Sequence, residues 1–440
     1  MKQNLSNRPL KGTSDWLPEE FAIRQYIFDS WRNVNCHFGY EEYLTPIFEL
    51  ADIYRAKSGE DVGGKELMVA TDRGGRELAI RPEMTPSVTR MVSSFYGRVS
   101  KPLRLFSIAN FWRNERPQRG RNREFWQLNT DIFGSESVSA DIEILQIALE
   151  IMIAFQPPKG SFTLYLNHRQ LIDSILTDIA NVAGEVRTPV VRLLDKFEKL
   201  SLDAFQRSLS EFGLEKSSIN HLTRFMQSQN AEQLLENFPT LHDNSGYQQI
   251  THIFAMLQAF GYDEWIVFNP SIIRGFDYYD GMVFEVFDNH PDNNRSMFGG
   301  GRYNGLARLF GKQDIPAVGF APGDEPTRLF LENWGLVPSS LTENHTIYLP
   351  LLADNLTVES WKLAAELREV NFWVEQGLEV QTITKALSYA NKKNFPYTVI
   401  YGPDEASQGK VQLKNMRTGE QTSHSRTQLI EKLQSPMDSI

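Results

Sequence analysis

Five arginines, Arg113, Arg116, Arg119, Arg121 and Arg123, fall within eleven residues of a 440-residue chain whose net charge is -10. Planar guanidinium groups hold phosphate oxygens with paired hydrogen bonds, so a local cluster on an acidic background points to a polyanionic ligand. A solvated charged loop is the alternative, and the flanking residues weigh against it. Glu115 stands two residues after Arg113, while Gln127 and Asp131 stand four apart on what reads as a returning strand. The strand period of two puts them on one face. Cation, carboxylate and amide then converge.

Three further segments carry candidate chemistry. In ELAIRPEMTPSVTRM, Glu83 and Thr85 sit where a strand through Leu78 and Ile80 runs into a helix. They can accept hydrogens from an ammonium group or cap the helix, and the residues alone favour the cap. In SIIRGFDYYDGMVFEVF, Arg274 precedes Tyr278 and Tyr279 and a strand from Met282. An arginine beside tyrosines is ordinary surface decoration without further context. The run GGGRYNGL, 299 to 306, is neither a Walker A loop nor a dinucleotide fingerprint; its glycines let backbone approach a substrate, with Tyr303 beside them.

The elements that must position these residues are readable from pattern. Leu103, Leu105 and Phe111 alternate on one side of Pro117, Gly120 and Asn122, with Phe125, Leu128 and Ile132 on the other, which predicts an antiparallel hairpin. Ile23, Ile27, Trp31, Val34 and Phe38 are spaced as a helix that starts at Pro18 and stops at Gly39. GYEEYLTPIFE predicts one strand, with Pro46 marking an edge. A helix from about Ala140 to Phe155 and a strand over 161–167 follow, and residues from about 170 to 258 turn helical and polar. After Pro338, Ser339 and Ser340 the pattern alternates strand and helix: TIYLPLL, a helix over 357–370, FWVEQ, a helix over 382–394, YTVIYG, then a hairpin turning at Thr418 and Gly419.

Composition bounds the class. The chain is 41% hydrophobic and 23% charged, enough for a full core in two or three domains. A single cysteine, Cys36, excludes an internal disulfide and a thiolate metal site. The start MKQNLSNRPLKG lacks the apolar core of a signal peptide, and no apolar run approaches membrane length, so the expected location is cytoplasmic, with no membrane partner.

The stretch FWRNERPQ with its arginine-rich loop and returning FWQL resembles motif 2 of class II aminoacyl-tRNA synthetases, in the form found in the histidyl-tRNA synthetase family. RPLKGTSD resembles the opening of that family, the GYEEYLTPIFE stretch its motif 1, and RPEMT, RGFDYY and GGRYNGL its substrate segments; YANKKN, YGPDE and LKNMRTGEQ resemble its C-terminal domain. The resemblance implies an α+β chain: a class II antiparallel-sheet catalytic domain over 1–337 with a helical insertion, a linker over 338–345, and an anticodon-binding-like α/β domain over 346–440. It implies a homodimer through motif 1, and a ligase that joins histidine to the 3′ end of its tRNA with ATP and magnesium.

It also implies roles. Arg113 and Arg274 would stabilise the α-phosphate, with Glu115 and Arg121 also on ATP. Glu83, Thr85 and Gln127 would hold the histidine amino group, and Asp131, Tyr278, Tyr279 and Tyr303 would surround the imidazole. Arg116 and Gln118 match positions that read the extra 5′ guanosine of histidine tRNA. No protein ligand for the metal is assigned. Two departures stand out: Asp131 replaces a usual glutamate, and motif 3, ordinarily G-x-E-R-L, reads Gly323, Asp324, Glu325, Pro326, Thr327, Arg328. A two-residue slip turns a helical side chain by about 200 degrees, so Arg328 is expected to face away from the nucleotide. A regulatory subunit of ATP phosphoribosyltransferase or a histidine-sensing paralogue, which keep the pocket without aminoacylation, is the alternative that an altered motif 3 favours.

Overall fold

The computed structural model describes residues 6–56, 58, 61–273, 278–293, 295–311 and 314–434. The chain divides into two compact units, Met1–Val337 and Pro338–Ile440.

In the first unit, helix α1 (Pro18–His37) opens on Pro18, with the Glu20 carboxylate accepting the Leu17 N–H at 3.0 Å. The stretch expected as a single motif 1 strand is instead two short ones. β1 (Glu41–Glu42) pairs parallel with a strand of the main sheet, whereas β2 (Phe48–Leu50) joins a separate three-stranded sheet. Pro46, between them, has no N–H to give a ladder, and the chain changes sheet there. A short helix α2 (Ala51–Arg55) leads to β3 (Met68–Thr71) and β4 (Glu77–Ile80), which complete the small sheet, and then to α3 (Thr85–Phe95).

The hairpin expected from the arginine-rich stretch is the longest pairing in the unit: β5 (Leu103–Trp112) and β6 (Glu124–Phe133) run antiparallel from Leu103↔Phe133 to Trp112↔Glu124. Its tip closes on reciprocal backbone bonds between Gln118 and Arg121, at 3.0 and 2.9 Å. α4 (Val138–Ile153) and β7 (Phe162–His168) follow. The insertion is helical, as the polar, glycine-poor stretch implies: α5 (Arg169–Ser174), α6 (Gly184–Leu194), α7 (Leu202–Glu211), α8 (Lys216–Met226), α9 (Ala231–Asn237) and α10 (Ser245–Ala259). It has its own core, built on Leu194, Phe205, Leu222, Phe225 and Leu234.

The chain then returns to the main sheet with β8 (Ile266–Phe268), β9 (Met282–Asp288), β10 (Arg295–Arg302) and β11 (Ala317–Phe320), and ends the unit in α11 (Asp324–Asn333). The first three glycines of GGGRYNGL, Gly299, Gly300 and Gly301, thus lie inside a strand. The sheet order is β1-β5-β6-β11-β10-β9-β7-β8, antiparallel except at its two edge pairs. Strand alternation divides the work of β6. Leu128 and Ile132 join α1, α4 and α11 in the main core through Trp31, Leu145, Leu149 and Phe330, while Gln127, Asn129 and Asp131 face the other way.

The second unit is a five-stranded sheet of its own. It comprises β12 (Ile347–Leu351), α12 (Thr357–Glu369), β13 (Val374–Val380), α13 (Ile383–Lys392), β14 (Tyr397–Ile400), α14 (Pro403–Ser407), β15 (Val411–Asn415), β16 (Gln421–His424) and α15 (Arg426–Gln434). Its order is β13-β12-β14-β15-β16, parallel over the first three strands and antiparallel over the last three. α14 and α15 have no counterpart in the sequence reading. α15 buries only Leu429 and Leu433, too few apolar positions to signal a helix.

Candidate active site

A cavity of about 900 Å³ opens over the Gln127, Asn129 and Asp131 face of β6. Of the residues singled out in the sequence, Glu83, Thr85, Arg113, Gln127, Asp131, Tyr278, Tyr279 and Tyr303 line it. Arg274 lies outside the described residues. Glu115, Arg116, Gln118 and Arg121 belong to the hairpin tip and are not among the lining residues.

Asp131 is 3% exposed. Tyr303 donates its phenol hydrogen to Oδ1, and Oδ2 is buried with no hydrogen bond. Burial pushes the carboxyl pKa up to about 7, against which the Tyr303 bond works only in part. The shorter aspartate is accommodated by Gly319 on the adjacent strand, since a Cβ there would overlap Oδ1. Tyr278, Tyr279 and Tyr303 form an aromatic wall, with ring centroids 4.9 to 6.4 Å apart.

Glu83 is equally buried. The helix-cap reading does not hold: α3 is capped by Met84 with no side-chain bond, and Thr85 is already its first residue. Glu83 Oε2 accepts the Tyr278 hydroxyl at 3.0 Å, and Oε1 makes no hydrogen bond of good geometry. Burial raises its proton affinity, partly offset by Ser58, Arg113 and Tyr278. A buried carboxylate of this kind is completed by a cation.

Arg113 follows β5 directly. Its Nε donates to the Pro82 carbonyl at 3.0 Å, and its guanidinium carbon stands 5.0 Å from the Phe125 ring centroid. It forms no ion pair within 4 Å of a described carboxylate, which leaves its charge for a ligand. Glu115 is half-buried beside the tip; desolvation raises its proton affinity, and Arg121, 3.4 Å away, opposes this.

Motif 3 is rebuilt. α11 starts at Asp324, with Pro326 in its first turn, where a missing N–H costs nothing. Asp324 Oδ1 accepts the Trp126 N–H at 3.0 Å, tying the helix to β6. Arg24 of α1, under the Trp16 ring at 3.4 Å, forms buried ion pairs with Asp324 and Glu325. Arg328 pairs with Glu325 at 3.0 Å and with Glu332, and does not line the cavity. The side chain that the slip was expected to turn aside is thus held in ion pairs on α11 itself.

Several lining residues were not singled out in the sequence. Asn129 is one, with its buried Nδ2 lacking a hydrogen bond; it stands midway between Gln127 and Asp131, and the period of two was signal enough. Arg169, Arg187 and Arg192 arrive from the insertion. Arg169 grips the Ile273 carbonyl at 2.8 Å, and Arg187 pairs with Asp173. No local pattern marks them, because the tertiary packing of the insertion, with α5 against β7 and α6 in the insertion's own core, brings them there. No group of three or more His, Cys, Asp or Glu among the described residues is arranged to hold a metal ion.

An eight-stranded, mainly antiparallel sheet that carries an arginine-tipped hairpin, a helical insertion and a following α/β unit is the architecture of a class II aminoacyl-tRNA synthetase. The family model described as Histidyl-tRNA synthetase matches residues 12–323, and that of the Anticodon binding domain matches 341–435. The chain belongs to the histidyl-tRNA synthetase family. A Histidine--tRNA ligase from Leptospira biflexa is 38% identical over 433 residues, covering 98% of each chain. One from Thermococcus kodakarensis is 34% identical over 434 residues, covering 96% of this chain and 97% of its own. Among solved structures, the histidyl-tRNA synthetase of Nostoc sp. PCC 7120 superposes with a TM-score of 0.81 at 21% identity, covering 98% of this chain and 99% of that one, a likeness of fold.

Proposed function

We infer that this chain is a histidine–tRNA ligase. The observation that carries the reading is similarity to a Histidine--tRNA ligase across 98% of both chains, which spans catalytic and anticodon-binding parts together. The histidine carboxylate attacks the α-phosphorus of ATP, and the bond to the β-phosphate oxygen breaks, so that pyrophosphate leaves with the electron pair. A hydroxyl of the terminal tRNA adenosine then attacks the acyl carbon, and AMP departs.

The roles follow from charge. Glu83, with Thr85 and Gln127, takes the substrate ammonium, and the open Oδ2 of Asp131, with Tyr278, Tyr279 and Tyr303 around it, takes an imidazole N–H. Arg113 stabilises charge on the α-phosphate as bonds change, a role that family resemblance gives to Arg274 as well; Glu115 and Arg121 orient the nucleotide. Magnesium bound to ATP would offset the charge of its phosphates, and no protein ligand is assigned to it. Arg116 and Gln118 at the hairpin tip read the 5′ end of histidine tRNA. Homodimer formation through motif 1 is supported by its exposed apolar side chains, Leu44, Ile47, Phe48 and Leu50. A cytoplasmic location goes with the reading, and among the described residues no helix is long and apolar enough to cross a membrane.

The altered motif 3 favours a second reading, a regulatory subunit of ATP phosphoribosyltransferase or a histidine sensor. The anticodon-binding match over 341–435 weighs against it. Histidine-dependent exchange of labelled pyrophosphate into ATP separates the two. Exchange with histidine and no other amino acid supports the ligase; no exchange from folded, histidine-binding protein sinks it.

A further inference from the structure

Pro326 stands where class II motif 3 has its arginine, and Arg328 is neutralised by Glu325 and Glu332. α11 therefore offers no spare cation of its own. Arg295, the first residue of β10, reaches the same corner from the sheet. It sits opposite Asp288, whose Oδ1 accepts the Trp334 indole N–H at 3.0 Å, so this pair faces the α11 side. The hairpin tip comes to the same point. Gly120, at φ +70, is so close that a Cβ would overlap the Arg295 guanidinium and approach Leu329 Cδ1 to 2.8 Å.

Three guanidiniums thus gather with little to balance them. Arg119 and Arg121 flank Gly120, and Arg121 has one acidic partner, Glu115, at 3.4 Å. The Arg295 Nε donates to a neutral acceptor, Asn293 Oδ1, at 3.0 Å, and no carboxylate among the described residues lies within salt-bridge distance of it. Burial and the charges of Arg121 and Arg119 lower its proton affinity, Asp288 across the strand pair opposes them in part, and a bound anion would relieve what remains.

We propose that Arg295 supplies the cation that motif 3 lacks, holding the β- and γ-phosphates of ATP together with Arg121 during histidine activation. The proposal rests on the ligase reading. As the α-phosphorus bond to the leaving oxygen breaks, the electron pair and its charge pass to pyrophosphate, and Arg295 neutralises that charge without any proton transfer. Arg295 is a substrate-contacting residue in this account, and Arg328 a structural one.

The test uses the full chain and no tRNA. Histidine-dependent pyrophosphate exchange is measured for the parent, Arg295→Ala, Arg295→Lys and Arg328→Ala, each checked for folding by thermal melting. Arg295→Ala is expected to raise the KM for ATP about tenfold or more, with the KM for histidine unchanged; lysine recovers part of the loss, and Arg328→Ala matches the parent. Calorimetric binding of ATP and of AMP provides an arm independent of turnover: Arg295→Ala weakens ATP about tenfold and leaves AMP alone. A parent without exchange removes the ligase reading, and the binding arm still decides the phosphate contact. Exchange and ATP binding within twofold of the parent overturn the proposal. The same outcome with a raised KM for tRNA in aminoacylation assigns the cluster to tRNA phosphate instead.

Discussion

The two ends of the active site solve opposite electrostatic problems. At one end Asp131 and Glu83 are buried acids whose partners are the Tyr303 and Tyr278 phenols, and both hold protons more tightly than usual. At the other end Arg113 and the hairpin-tip arginines have a surplus of positive charge, and among the described residues the ion pair there within 4 Å is that of Arg121 with Glu115. Each end is incomplete by one sign. A buried charge without a partner is costly in the free protein, and the missing partners match the two ends of the proposed reactants: a cationic amino acid and a string of phosphates. Site and substrate are complementary because the chain leaves its own accounts unbalanced.

The largest expected effect comes from breaking the acidic end. Asp131 has a folded pKa of about 7, above the ordinary 3.8, so the folded state holds this proton more tightly than the unfolded one. Its contribution to stability is therefore greatest below pH 4, declines as pH rises towards 7, and is level above that. Asp131→Asn keeps the neutral form at every pH. The variant should melt higher than the parent at pH 8, by up to about 4 kcal/mol in stability, with the gap closing as pH falls to 4. Its KM for histidine should rise about ten- to a hundredfold in exchange assays. A parent whose stability advantage over the variant grows with pH would show that Asp131 is well solvated or already paired.

Breaking the cationic end should leave stability alone and remove rate. Arg113 spends one hydrogen bond on the chain, to the Pro82 carbonyl. Arg113→Ala should lower the exchange kcat about a hundred- to a thousandfold, roughly 3 to 4 kcal/mol in the barrier, with little change in Tm. Loss of fold without loss of specific rate would make Arg113 a brace for the loop before α3. The contrast between the two variants, one altering pH-dependent stability and the other altering turnover, is the sharpest form of the comparison.

The sequence made parts of this arrangement legible for definite reasons. The β5–β6 hairpin was visible because its apolar residues alternate through ten paired positions, and the same alternation placed Gln127 and Asp131 on one face. Motif 1 was misread as one strand because the residues around Pro46 alternate even though the backbone there leaves one sheet for another. The cap reading of Glu83 failed because junction position alone does not say which way a carboxylate turns. Arg187 and Arg192 could not be found at all: they stand in the insertion, and only tertiary packing carries them to the cavity. The roles of the acids and arginines came from resemblance, and what the structure adds is the burial of Asp131 and Glu83 and the oxygen that each leaves unpaired.

The smallest expected effect belongs to the arginine that the comparison leaves out. Arg328 is held three and four residues from its acidic partners on one face of α11, and its side chain is 27% exposed. Helical ion pairs of this kind contribute about 0.3 to 0.5 kcal/mol each. Its removal does not strand Glu325 either, because Arg24 remains bound to that carboxylate in the buried pair. Arg328→Ala should therefore cost less than about 1 kcal/mol of stability by thermal melting and leave the KM for ATP within twofold. A tenfold rise in that KM would mean that the side chain leaves Glu325 and Glu332 to reach the nucleotide, and that the two-residue slip in motif 3 is undone when ATP binds.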